Sequence, residues 1–316
     1  MKNILLLSII IFLNHFVFGQ TWAEKLGFPA GKKVIILHAD DIGMCTEANE
    51  AVFSQLENKE IQSASAMVPC PAFEDLVEWS QKHPGYDIGL HLTLTSEWKT
   101  YRWGPVSSTR EVPGLLDDND KLWHTVRQVV NNASANEVEK EIRAQIEKSL
   151  ALGLKPSHID THMGTLYGDN DYTEVYMKIA EEYKIPAMVI EINSAELVQK
   201  FRQAGYPITE RLIQLIEDYS LPKLDYFTSV PSAGTYAEKC DLFYKLIDEL
   251  PSGLSEIIFH PSIYSDNLKT ITNSWQQRVW EAEMFADPEV RSFLKDRDII
   301  FTNWKEIMQR FASLKD

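Results

Sequence analysis

Val34-Ile35-Ile36-Leu37-His38-Ala39-Asp40-Asp41-Ile42-Gly43 is an apolar run of strand length that ends in two adjacent carboxylates and a glycine. Neighbouring residues on a strand point to opposite faces. Asp40 and Asp41 therefore reach one site only if the strand ends between them, a turn that Gly43 permits. Two acids so placed can divide the work of metal ligand and general base. The plain alternative is a solvated turn in which an Asp caps the helix beginning near Thr46.

Outward from this stretch, short apolar runs alternate with amphipathic ones along the chain, the pattern of βα units around a parallel sheet. Strands are expected at Lys33–His38, Ser63–Val68, Asp87–Thr95, Ser157–Leu166, Ala187–Ile192, Tyr226–Val230, Leu254–His260 and Ile299–Phe301. Between them, Pro71 to Trp79 reads as a helix with an N1-type proline. Val138, Ile142, Ile146 and Leu150 mark another helix over Glu137–Leu150, stopped by Gly153. Seven or eight mostly parallel strands close most economically as a distorted (β/α) TIM-like barrel. No glycine-rich phosphate loop follows any strand, which argues against a nucleotide cofactor. Ser96–Asn132, rich in Trp, Pro, Gly and charge, is too long for a plain connection and reads as a functional loop or lid.

The N-terminus combines Lys2, a run from Ile4 to Leu13 that is apolar but for Ser8, and Gly19 before polar Gln20. These are the parts of a secretory signal peptide over residues 1–19. The run is shorter than the ~20 apolar residues a spanning helix needs. Residues 20–316 then form a single barrel domain, exported to the periplasm or beyond the cell, with no membrane span after processing. Removing residues 1–19 takes one lysine and no acid, so the net charge moves from −15 to −16. A surface this acidic argues against nucleic acid as a partner. Cys45, Cys70 and Cys240 have no C-x-x-C spacing, so neither a disulfide framework nor a thiolate zinc site is indicated.

Ligand-type residues recur at strand ends, which share one mouth in a parallel barrel. In Gly89-Leu90-His91-Leu92-Thr93-Leu94-Thr95, His91 shares a face with Thr93 and Thr95, opposite the leucines. A lone histidine there is more often a core residue; its company changes that weighting. Ser157-His158-Ile159-Asp160-Thr161-His162 puts His158, Asp160 and His162 on one face of a strand, and a helix would also align both histidines. His2Asp with an open position for water is the set a catalytic divalent metal requires. Asp160 can instead orient an imidazole through its second nitrogen. Phe259-His260-Pro261 ends a late strand and offers His260 as a general acid.

Taken in order, the Asp40-Asp41, His91, His158-Asp160-His162 and His260 motifs resemble those of the YdjC/ChbG family of carbohydrate deacetylases. The resemblance runs from Val34 to the C-terminal region. It implies a distorted (β/α) barrel, a divalent metal, and hydrolysis of N-acetyl groups on a sugar or small oligosaccharide such as a chitin fragment. By motif it makes Asp41, His91 and His162 metal-binding, His158 a nearby or alternative ligand, Asp40 the catalytic base and His260 the acid. The resemblance implies a homodimer. Zinc or magnesium is expected, although Asp and His also suit manganese and cobalt. Two departures stand out. Met163-Gly164 follows where many relatives carry further histidines, and the Trp98, Tyr101, Trp103, Trp123 insert differs from compact members.

Trp98 and Trp103 are expected to stack on sugar faces, with burial over the barrel's seams as the plain alternative. Two competing functions keep the same residues: hydrolysis of a phosphoester or peptide amide, and sugar binding without catalysis. No Arg or Lys cluster lies beside the motifs in sequence, which weighs against phosphate.

Overall fold

The computed structural model describes residues 20–314, so the expected signal peptide lies outside the described residues. Its centre is the stretch quoted first. β1 spans Lys33–Ile42, and Val34, Ile35, Ile36 and Leu37 are buried completely or nearly so. Burying a side chain of that size contributes about 1.5–3 kcal/mol, which places this strand at the middle of the sheet.

The other strands are β2 (Ser63–Ala66), β3 (Ile88–Leu92), β4 (Ile159–Thr161), β5 (Tyr226–Ser229), β6 (Gly253–Phe259) and β7 (Ile299–Phe301). All pair in parallel, in the order β4-β3-β2-β1-β6-β5. β6 runs along Lys33–Ala39 of β1, while β7 takes Lys33–Ile35 and β2 takes His38 onward. Bridges Ile159↔Ala187 and Ile190↔Leu224 carry the sheet round from the β4 edge towards β5. The result is the expected α/β fold, a curled parallel sheet of distorted TIM-like barrel type with helices outside it.

Among the expected strands, Ala187–Ile192 survives only as those two bridges. Pro186 ahead of it has no N–H to give a ladder, although its carbonyl accepts from Ile159 at 2.9 Å. The third motif is also shorter than expected: after Thr161 the chain tightens into a 3-10 turn over His162–Tyr167, with Met163 and Gly164 at φ 55° and 66°. The helix expected over Glu137–Leu150 starts earlier, at Ala135, because Ser134 and Glu137 form a capping box. The helix expected from Pro71 begins at Phe73, with Ala72 at its N-cap donating its N–H to the Gly43 carbonyl at 3.0 Å.

Candidate metal centre

A bulge in β1 builds the site. Ala39 faces Ala64 and Ile42 faces Ala66, so β1 carries one residue more than β2 over the same step. Asp41 absorbs it with φ 64°, and Gly43 follows at φ 81°. Asp tolerates this left-handed region better than most residues, at a cost of about 1–3 kcal/mol. The bulge breaks the alternation of the strand, which is how both carboxylates turn inwards without the strand ending between them.

Asp41 Oδ1 lies 3.4 Å from His91 Nε2 and 3.3 Å from His162 Nδ1. One ligand atom from each of the three lies within 4.8 Å of the other two, and all three residues are buried. Asp41 Oδ1 accepts no hydrogen bond although it is sealed from solvent. A buried, unpaired carboxylate oxygen is costly, and one facing two imidazole nitrogens has the donor chemistry of a divalent-metal site. The residues therefore fit the metal. Two imidazoles and one carboxylate suit zinc better than magnesium, which favours oxygen donors.

The electrostatics agree. Burial works against a charge on Asp41, but Arg278 and His162 overcome it and hold the carboxyl well below its usual range. Burial likewise opposes protonation of His162, yet Glu97 and Asp41 push its pKa up to about 10. For His91, Asp160 and Asp40 raise the pKa against burial. Metal binding at such sites displaces protons from the imidazoles.

Asp40 sits beside this group, 4 % exposed, with Oδ1 unpaired, 3.2 Å from His38 Nε2. His260 follows β6 directly. Its backbone N–H donates to Glu281 at 2.7 Å, and its Nε2 lies 3.8 Å from Asp40 Oδ2 with the side chain 36 % exposed. The structure thus brings Asp40, Asp41, His91, His162 and His260 to one mouth.

His158, expected as a nearby or alternative ligand, is not brought there. A strand rises about 3.3 Å per residue, so His158 and His162 stand roughly 13 Å apart along it and cannot serve one ion. His158 lies deeper, 3.3 Å from Asp87 and stacked on Trp304, with its ring where a side chain on Gly89 would collide with it. Asp160, between the two histidines, accepts from His91 Nδ1 at 2.6 Å, which leaves His91 Nε2 towards Asp41. Trp103 also needs correction: at 3 % exposure, with Nε1 donating to the Thr95 carbonyl, it offers no open face to a sugar. Trp98 is half-buried, its ring 5.7 Å from the Arg278 guanidinium.

Two residues of the site carry no motif. Arg278 Nη2 donates to Asp41 Oδ2 at 2.6 Å, with both groups buried. No Arg or Lys cluster lies beside the motifs in sequence, yet the fold brings this one guanidinium to the site, where its charge is engaged by Asp41. Glu97 Oε2 lies 3.0 Å from His162 Nε2. Glu97 had one signal available, its place five residues beyond the end of the His91 strand; Arg278 had none.

A family profile described as YdjC-like protein matches residues 34–296. A carbohydrate deacetylase of Thermus thermophilus is 30% identical over 279 residues, covering 86% of this chain and 93% of that protein. A carbohydrate deacetylase of Geobacillus stearothermophilus is 25% identical over 272 residues, covering 86% and 96%. A crystal structure of a cellobiose-phosphate cleavage candidate from Enterococcus faecalis V583 shares the fold with a TM-score of 0.72. It is 23% identical and covers 87% of this chain and 99% of that one. Since the profile takes in β1, the bulge and every ligand-bearing element just described, this chain belongs to the family of YdjC-like proteins.

Proposed function

We propose that the protein is an exported, metal-dependent hydrolase that removes N-acetyl groups from a sugar or small oligosaccharide. The observation that carries the metal part is the convergence of Asp41, His91 and His162, sealed from solvent, around an unpaired carboxylate oxygen. The substrate part is supported by relatives named carbohydrate deacetylase that align over most of their length.

Asp41, His91 and His162 would hold the metal, which when bound supplies Lewis acidity towards the acetamide carbonyl and a water acidic enough to lose a proton near neutrality. Asp40, with one oxygen unpaired, accepts that proton as the water oxygen bonds to the acetyl carbon. His260, partly exposed across from Asp40, donates a proton to the sugar nitrogen as the C–N bond breaks, so the products are acetate and a free amine. The adjacent ends of β1 and β6 bring the two groups to the same mouth, with His260 Nε2 3.8 Å from Asp40 Oδ2. Trp98, half-exposed at the mouth, is the remaining candidate for contact with a sugar ring.

The test is a mass-spectrometric screen for acetate loss from N- and O-acetylated oligosaccharides, with and without chelator, alongside a chromogenic phosphate. We expect release from an N-acetylated sugar that chelator abolishes and added zinc restores. Release unaffected by chelator, or hydrolysis of the phosphate alone, would overturn the proposal.

A further inference from the structure

Each side chain of the metal group is tied by the atom that faces away from the shared centre. Asp41 Oδ2 is held by Arg278 at 2.6 Å, His91 Nδ1 by Asp160 at 2.6 Å, and His162 Nε2 by Glu97 at 3.0 Å. The first two anchors belong to the barrel and its helices: Asp160 lies on β4, and Arg278 on the helix Trp275–Ala286. The third comes from the long segment after β3. We infer that Glu97 is a positioning residue for the metal centre, its carboxylate fixing the His162 ring with Nδ1 turned to Asp41. The segment after β3 then helps retain the metal as well as walling the mouth. This rests on the reading of Asp41, His91 and His162 as the metal group.

Three observations support a dedicated role. Among the described residues, the only ion-pair partner of the Glu97 carboxylate is His162. The residue before it is pinned twice: the Ser96 N–H donates to the Trp123 carbonyl at 2.8 Å, and Ser96 Oγ accepts from the Trp103 N–H at 3.1 Å. The neighbouring residue, Trp98, lays its ring by Arg278 at 5.7 Å, so the same segment touches the anchors of two ligands. A carboxylate on the far nitrogen of a ligating imidazole selects the tautomer and raises the basicity of the other nitrogen. Removing one typically weakens metal affinity 10–100-fold. An incidental surface pair would leave affinity untouched.

The experiment titrates the metal-stripped full protein with zinc against a competing chelator, and with cobalt(II) followed by visible absorption. Wild type, Glu97→Gln and Asp41→Asn are compared. Gln keeps the size and an acceptor but removes the charge; Asn tolerates the left-handed backbone at position 41. We expect Glu97→Gln to saturate at the wild-type stoichiometry with Kd weakened about 10–100-fold and altered cobalt bands, while the metal-free protein melts as wild type does. Asp41→Asn should lose the metal. Unchanged affinity in Glu97→Gln would overturn the inference, as would a loss matched by an equally large fall in metal-free melting temperature. Full zinc retention in Asp41→Asn would sink the metal-centre reading itself, a pattern distinct from retention in Glu97→Gln alone.

Discussion

Replacing Arg278 with methionine should destabilise the metal-free protein severely and the metal-loaded protein much less. The guanidinium and the Asp41 carboxylate meet at 2.6 Å with side chains only 7 % and 2 % exposed, so water does little to screen the pair. Methionine keeps most of the packing against Trp98 and deletes the charge, leaving a buried carboxylate with two imidazoles as its remaining support. Breaking one side of a buried pair costs about 3–5 kcal/mol. For a large domain each kcal/mol moves the melting temperature by about 2–4 °C, which gives a deficit of roughly 6–20 °C in chelator. A divalent cation on Asp41 supplies the missing positive charge, so saturating zinc should recover much of that deficit. Thermal melts followed by circular dichroism, with chelator and with zinc, measure both numbers. A variant that melts within about 2 °C of wild type in chelator would show that the pair does not carry this stabilisation. A deficit that zinc leaves unchanged would show that the metal does not reach Asp41.

Glu256, on β6 below the mouth, supplies a pH signature in stability. It is fully buried, and burial, helped by Asp160 and Asp40 against the pull of His38, pushes its pKa up to about 8 from 4.5. The folded state therefore binds more protons than the unfolded state between those values. The stabilisation is present below pH 4.5 and lost as pH rises through about 8. Glu256→Gln retains an acceptor for the Trp304 N–H and should flatten the fall in stability between pH 5 and 8; parallel denaturant midpoints for the two proteins would refute this. For the N-terminus, protein expressed with its own leader and recovered outside the cytoplasm should begin at Gln20. Intact mass showing Met1 retained would favour an anchor instead.

What the sequence made legible was residue type and face; what it hid was depth and anchorage, and the reasons are physical. Aliphatic runs such as Val34–Leu37 mark strands because burying four such side chains outweighs other local preferences. The period of two correctly aims His158, Asp160 and His162 into the barrel. The same period, multiplied by the strand rise, separates His158 from His162 by roughly 13 Å, which rules out their sharing one ion but leaves the choice between them to the contacts with Asp41 and Asp87. The bulge was less accessible. Gly43 looked like the turn, whereas Asp41 itself takes the left-handed conformation, and only the pairing of β1 with β2 reveals the extra residue. Ala187–Ile192 has the composition of a strand but meets its neighbours only at single bridges to Ile159 and Leu224, because register is a property of two strands. Arg278 lies 237 positions from Asp41, and Glu97 lies 65 from His162. An anchor needs only to present one charged atom to one ligand, so any element that passes the mouth can supply it and no local pattern is required. Ligands, by contrast, must converge on a common point from strand ends, and that demand is what prints a motif. Variation in metal affinity among proteins with the same four motifs should therefore be sought in residues placed as Glu97 and Arg278 are, outside the motifs and one contact away.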